Sequence, residues 1–399
     1  MLTLMPVVTT ASYKRGLFFM NELIDANNLY EAVKRSIRTA KWKASSQRFE
    51  YEWLLHVAKI QQDIANHNYK TGEKSLFITR ERGKTRLIRG NCIPDRVVRH
   101  ALCDNILMPQ LEKYLIYDNA ASQTGKGVDF ARRRVREHLH AYYRKHGSKG
   151  YVLLTDFSKY FDNIQHDIVY QIVAEKISDP TALEVLREVI DSMSVDVSYM
   201  SDQEYAECLQ TKFDSVKHAD LFLQNGRPGK KLMRKSVCVG DQTSQVFGIF
   251  LPYMIDNYCK IVQGMTHYIR YMDDIMIIHG SKDVLRSVMD GIRKEASKLG
   301  IFINEKKTVI VPVDRPFRFL QNSYYLTGTG RVVERINPAK ITRMRRRIKK
   351  LKTKEETGEL DAGYTYEVAY SWLCAHCKSM SKLQIEHFQE LLNSLNRRK

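Results

Sequence analysis

HYIRYMDDIMIIHG, residues 267–280, sets two apolar-rich runs on either side of an adjacent pair of aspartates. Runs of this length and composition predict two strands, with Asp273 and Asp274 at their joint. Charged carboxylates at the edge of an otherwise apolar hairpin are costly without partners, and divalent cations are natural partners. A four-residue Tyr-x-Asp-Asp string is short, so its weight depends on what else in the chain completes it.

Upstream, YVLLTDF (residues 151–157) reads as a buried strand that ends at Asp156 and runs on as S-K-Y-F-D through Asp162. Strand ends are rigid and can fix the geometry of a metal. Joining a nucleotide to a 3′-hydroxyl requires that hydroxyl to lose its proton and negative charge to be stabilised on the attacking and leaving oxygens. Two Mg²⁺ ions, roughly 4 Å apart and held by carboxylates, meet both needs. Asp156, Asp273 and Asp274 are therefore the expected catalytic residues and metal ligands, with Mn²⁺ able to substitute.

Working outward, SLFITRERGKTRLIRG (residues 75–90) predicts a β-hairpin around a charged turn containing Gly83. Residues 1–70 read as helical, with helical apolar spacing in 23–37 and 51–67, and Pro94 opens a helix through Leu107. Helical stretches are expected over 166–193 and 244–262. A helix over 283–299 and a strand over 301–311 complete an alternating unit around the carboxylates. Residues 194–235, with SDQEY and QNGRPGKK, have loop chemistry and are expected outside the core. The tail from Arg331 is expected to be helical and basic. Within it, Ile341, Met344, Ile348 and Leu351 recur at spacings of three and four, so one face can pack while the other offers charge.

Composition narrows the partners. The chain has 399 residues, 43% apolar, with 22 Tyr and 15 Phe, which is enough apolar surface to offset chain entropy. Lys and Arg outnumber Asp and Glu by 64 to 45, a formal charge of +19, the footprint of a polyanion binder. No apolar run approaches the roughly 20 residues of a spanning helix, and MLTLMPVVTTASYKRG (residues 1–16) lacks the order of a signal peptide. Nucleic acid is the expected partner, not a membrane, and a cytoplasmic setting is expected. Seven scattered cysteines suit reduced thiols. Cys374 and Cys377 flank His376 but lack the second ligand pair a zinc site needs, so they read as structural thiols.

At this point a family resemblance is plain. YMDD at 271–274 resembles the signature of reverse transcriptases, and Asp156 with Phe161 five residues later is similar to their first palm motif. The resemblance runs from about Ser75 to Leu351. It implies an α+β right-hand polymerase fold, with an N-terminal helical extension at 1–70 and fingers at 71–150. A palm with an antiparallel sheet and packed helices would span 151–330, interrupted by the polar insertion at about 194–235, and a basic helical thumb would span 331–399. Arg86, with Lys84 as helper, matches the fingers residue that grips the incoming triphosphate. I-N-E-K-K-T at 303–308 is similar to the fourth palm motif, which makes Lys306 a nucleotide contact. The Phe157 backbone carbonyl would join the metal ligands. The Phe161 ring would collide with a ribose 2′-OH, which selects deoxynucleotides. RFLQNSYYL (318–326) resembles the primer-grip hairpin, with Gln321 where a glycine is common. Tyr271, Met272, Arg343, Arg345, Arg346, Arg347, Lys349 and Lys350 would contact nucleic acid.

One departure is informative. VGDQTSQ (residues 239–245) has Val239-Gly240 where many reverse transcriptases have Gln-Gly, and Ser244-Gln245 where they have Ser-Pro. That pattern resembles the enzymes of bacterial diversity-generating retroelements, which copy a template-repeat RNA with frequent errors opposite adenine, and implies a bacterial or phage-encoded protein. Val239, Gly240 and Gln242 would then lie at the nucleotide. The resemblance implies an RNA template, a DNA or RNA primer, deoxynucleoside triphosphates, a structured non-coding RNA and a small basic accessory protein. Three readings compete: a defence-associated or abortive-infection reverse transcriptase, a non-catalytic RNA-binding scaffold, and an RNA-dependent RNA polymerase. The intact aspartates count against the scaffold, and Phe161 with Tyr271-Met272 counts against the RNA polymerase.

Overall fold

The computed structural model describes residues 22–81, 83–218 and 231–396. The leader reading of residues 1–16 and most of QNGRPGKK lie outside them. Near the start of the described residues lie α1 (Ala26–Ile37), α2 (Ala44–Tyr51) and α3 (Trp53–Ala65). Asp25 caps α1 through the amides of Asn27 and Asn28. The expected hairpin follows as β1 (Ser75–Glu81) and β2 (Lys84–Gly90), paired in register from Ser75 opposite Gly90 to Glu81 opposite Lys84. Gly83 sits in its turn at φ 79°, which a side chain would strain. Helix α4 (Ile93–Ala101) has Pro94 in its first turn, as expected, and continues as a π-helical stretch, Leu102–Leu107. Next comes the long α5 (Val128–His146).

Strand β3 (Tyr151–Asp156) leads to α6 (His166–Ala174) and α7 (Pro180–Asp191). The described part of segment 194–235 lies outside the main cores as expected, but corrects the expectation of a loop. It forms β4 (Val195–Asp196), α8 (Asp202–Gln210) and β5 (Leu232–Met233), and Val195, Val197, Met200, Phe213 and Met233 bury themselves with Leu87 of β2. Lys235 is buried and donates to the carbonyls of Cys208 (3.0 Å) and Thr211 (3.3 Å), a cation at the C-terminal end of α8.

Then come α9 (Gln242–Phe250), α10 (Tyr253–Asn257), β6 (His267–Tyr271), β7 (Asp274–His279), α11 (Lys282–Lys298) and β8 (Val309–Pro312). The strand expected over 301–311 is confined to β8. Residues 305–307 turn, and Ile303 makes only an isolated bridge to Phe157. β9 (Phe317–Phe319), β10 (Asn322–Leu326) and β11 (Val332–Ile336) form a three-stranded sheet, so the tail begins with a strand, not a helix. Helices α12 (Pro338–Glu356), α13 (Tyr364–His376) and α14 (Lys382–Asn396) end the described chain.

The central sheet has order β6-β7-β3-β8 and is antiparallel throughout. Its faces feed different cores, as strand alternation requires. Ile275 and Ile277 pack with the N-terminal helices, α4, α6, α7 and α9 through α11, whereas Met276 and Ile278 pack with α5 and the β9–β10 hairpin. A separate core joins α12, α13 and α14, where Ile341, Met344 and Ile348 are buried as their spacing predicts. All seven cysteines are free thiols, and no helix among the described residues is long and apolar enough to cross a membrane.

Candidate active site

Sheet register brings the acidic residues together. Asp156, the last residue of β3, pairs directly with Asp274, the first of β7, and Tyr271 faces Asp274 across the two-residue turn Met272-Asp273. Met272 takes φ 54°, a left-handed conformation that non-glycine residues seldom adopt. The Phe157 amide donates to the Asp273 carbonyl (3.2 Å), which ties the two strand ends to each other. Phe157 itself is buried, beside the Ile303 bridge.

Three carboxylates so close in a half-buried setting resist ionisation together. Burial, with the charge of Asp156 added, raises the pKa of Asp273. Burial and the neighbouring Asp273 and Asp156 charges lift that of Asp274 to about 7. The cations acting against this rise are Lys307 and Lys84. Lys307 forms an ion pair with Asp156 Oδ2, and the other Asp156 oxygen, Oδ1, is buried without a hydrogen-bond partner. Among the described residues no group of three His, Cys, Asp or Glu side chains is already arranged as a metal cage. The donor set is nonetheless of the right chemistry: oxygen-only, strand-anchored and with an orphaned buried oxygen, as hard divalent cations require.

These residues line a cleft of about 1180 Å³. Phe161 and Met272 form one wall. Both reach Gly248 of α9, where an added Cβ would come within 3.2 Å of Phe161 Cζ and 3.3 Å of Met272 Sδ. Lys306 and Lys307 stand at another side. Both are exposed, and it is Lys307 that pairs with a carboxylate, that of Asp156. The β9–β10 turn also faces the cleft, with Leu320 at φ 46° and Gln321 at φ 70°. Two consecutive positive φ values suit a tight hairpin turn and explain why glycine would be at home at 321. Lys340 of α12 and His376 of α13 reach the same cleft from the C-terminal helices.

Other expected site residues lie elsewhere. Lys84 and Arg86 are exposed on β2, with Lys84 near enough to act on Asp273 and Asp274. Val239, Gly240 and Gln242 line a second cleft, also about 1180 Å³, with Arg96 and Arg99 of α4 and Arg35 of α1. Gly240 is at φ 91°, which accounts for glycine there. Asp241 caps α9 through the Thr243 amide (3.2 Å) and receives Arg99 Nη1 at 2.6 Å, so it is a structural anchor. Gln242 Nε2 donates to Asp104 (2.6 Å). Several buried polar atoms around this cleft lack partners, among them Asn91 Oδ1, Arg96 Nε and Gln242 Oε1. Helix α9 lies between the clefts, with Gln242 and Gln245 on one and Gly248 against the wall of the other. Arg343, Arg345, Arg346, Arg347, Lys349 and Lys350 are exposed on α12 and do not line the carboxylate cleft; Arg345 and Lys349 border a separate groove with His387.

Sequence reasoning missed two groups. One is Lys307, whose signal was hidden by its twin Lys306. The other is the buried pair Arg270–Asp256, each a single charge in an apolar stretch. Such isolated charges are the available signal, because a charge that is buried must be paired.

A four-stranded antiparallel sheet carrying three aspartates at its strand ends, flanked by helices and a cleft, defines the right-hand polymerase class. The family model for reverse transcriptase (RNA-dependent DNA polymerase) matches residues 73–321, more than half of the chain, and the chain belongs to that family. Among solved structures, apo telomerase from Candida tropicalis aligns at 15% identity with a TM-score of 0.42, covering 66% of this chain and 47% of that one. The same telomerase truncated from its C-terminal domain aligns at 16% identity with a TM-score of 0.41, covering 65% and 54%. This chain thus spans about half the length of either. No curated protein matches it.

Proposed function

We propose that the chain is an RNA-directed DNA polymerase, a nucleotidyltransferase that copies an RNA template into DNA. The observation that carries this reading is the pairing of Asp156 with Asp274, beside Asp273, in a cleft walled by Phe161. Asp156, Asp273, Asp274 and the Phe157 carbonyl would hold two Mg²⁺, which when bound neutralise charge on the attacking and leaving oxygens. Lys84 and Arg86 meet the triphosphate from the hairpin, and Lys307, closer than Lys306, serves the departing pyrophosphate. Phe161, backed by α9, excludes the ribose 2′-OH. Tyr271 and Met272 support the primer end. Residues 71–150 act as fingers and the central sheet as palm. We place the thumb after β11, at Asn337, because β11 belongs to the β9–β10 sheet. The second cleft, rich in arginine and in unpartnered polar atoms, takes the template strand, and the exposed cations of α12 grip the duplex backbone.

Within this reading the enzyme belongs to the diversity-generating class, working with a structured RNA and a small basic accessory protein. What supports this is Val239-Gly240 on the template-side cleft: a branched apolar side chain offers no hydrogen bond with which to orient a base. Primer extension with purified full-length protein on a defined RNA tests both levels. Deoxynucleotide incorporation that requires Mg²⁺ and the RNA supports the polymerase, and its absence overturns it. Excess misincorporation opposite adenine, measured by sequencing the product made with the cognate RNA and accessory protein, supports the subclass. Equal fidelity at all four bases moves the enzyme to the defence-associated class.

A further inference from the structure

The aspartate turn is held from behind by one guanidinium. Arg270, on β6 two residues before Met272, is fully buried, and its side chain makes four hydrogen bonds. Its Nε and Nη2 donate to Oδ1 (2.7 Å) and Oδ2 (2.6 Å) of Asp256 on α10, Nη2 also donates to the Ile249 carbonyl of α9 (2.8 Å), and Nη1 donates to the Met272 carbonyl (3.0 Å). The Tyr268 hydroxyl donates to Asp256 Oδ1 (2.6 Å). Main-chain bonds fix the same residue: its amide donates to the Asp118 carbonyl (3.1 Å), and its carbonyl receives the Ala120 amide (2.9 Å).

A buried ion pair is weak ground for claiming stability, because an apolar replacement of equal volume is often neutral or better. What an apolar replacement cannot do is hold a carbonyl. The Met272 carbonyl belongs to the peptide that leads into Asp273, and Met272 sits in a left-handed conformation that its surroundings must enforce. On the opposite side, the Phe157 amide ties the Asp273 carbonyl to the end of β3. We propose that Arg270, seated by Asp256 and Tyr268, is a positioning residue that fixes the Met272–Asp273 peptide and so aims the Asp273 carboxylate at its metal. This inference rests on the polymerase reading above.

The fork geometry gives the test. Lysine keeps the charge against Asp256 but cannot reach all four acceptor atoms with a planar fork. Arg270→Lys should lower kcat for deoxynucleotide addition about 100-fold, the scale expected when a reacting group is misplaced by about 1 Å. The KM for nucleotide and the affinity for RNA should stay within about twofold, because neither surface is touched. Mn²⁺ binding to the substrate-free protein, followed by electron paramagnetic resonance, should weaken at least about tenfold relative to the unmodified chain. Asp273→Asn serves as the reference for a missing ligand. Tyr268→Phe deletes one bond to Asp256 and no core volume, and should lower kcat several-fold at constant KM. If Arg270→Lys folds and keeps kcat and Mn²⁺ affinity within twofold, the proposal is overturned. If Arg270→Lys does not fold, unchanged kcat in Tyr268→Phe overturns it, because the network is then only structural. If the unmodified chain binds Mn²⁺ but adds no nucleotide, the polymerase reading fails, and the Mn²⁺ arm still decides the role of Arg270.

Discussion

Asp274 shows what crowding carboxylates into a buried setting costs. Its pKa near 7 lies above the unfolded value of about 4, so between those values the folded protein binds a proton that the unfolded chain does not. Without metal, stability should therefore fall as pH rises from about 4 to about 7, the opposite of an ion-paired carboxylate. Thermal melts in chelator should record a lower midpoint at pH 8 than at pH 6, and Asp274→Asn should remove most of that difference while raising the midpoint at pH 8. Equal midpoints in the unmodified chain would show that the three aspartates do not share a confined space. Phe161 makes a separate prediction. Truncation to Ala opens the wall against Gly248 and Met272, so ribonucleotide incorporation should rise at least about tenfold relative to deoxynucleotides. Unchanged discrimination in competition assays would leave Phe161 as packing alone.

At the scale of elements, the strands that carry the carboxylates were legible because apolar runs bounded by charge are strong signals: β3, β6, β7 and the 75–90 hairpin all formed where expected. Failures came where that signal was absent. Segment 194–235 buries apolar residues at irregular spacing among polar ones, so no period marked it. β11 follows Gly330 and alternates too briefly to stand out from the helical tail. Val239, Gly240 and Gln242, at and just before the start of α9, line a different cleft from the one that Gly248 of the same helix borders, and no spacing rule shows that. For α12, the expected one-face packing leaves its cations in solvent. Replacing Arg345, Arg346 and Arg347 with Ala should weaken nucleic-acid binding regardless of sequence. It should reduce the slope of log affinity against log salt by about 0.7–0.9 for each phosphate that is no longer neutralised. An unchanged slope would assign the run to a solvated face.

For the whole molecule, the sheet joins two cores and leaves a cleft on either side of α9, one acidic at its floor and the other lined by arginines. Net charge of +19 favours a polyanion at the surface, and the synthesis proposed above belongs to the acidic floor. The decisive measurement is primer extension on a defined RNA with Mg²⁺ and deoxynucleotides, comparing the unmodified chain with Asp273→Asn at matched RNA occupancy. The account predicts DNA product from the first. From the second it predicts less than about 1% of that rate with RNA affinity within about twofold, since the change removes a metal ligand and no core volume. Product made at comparable rates by both proteins would contradict it.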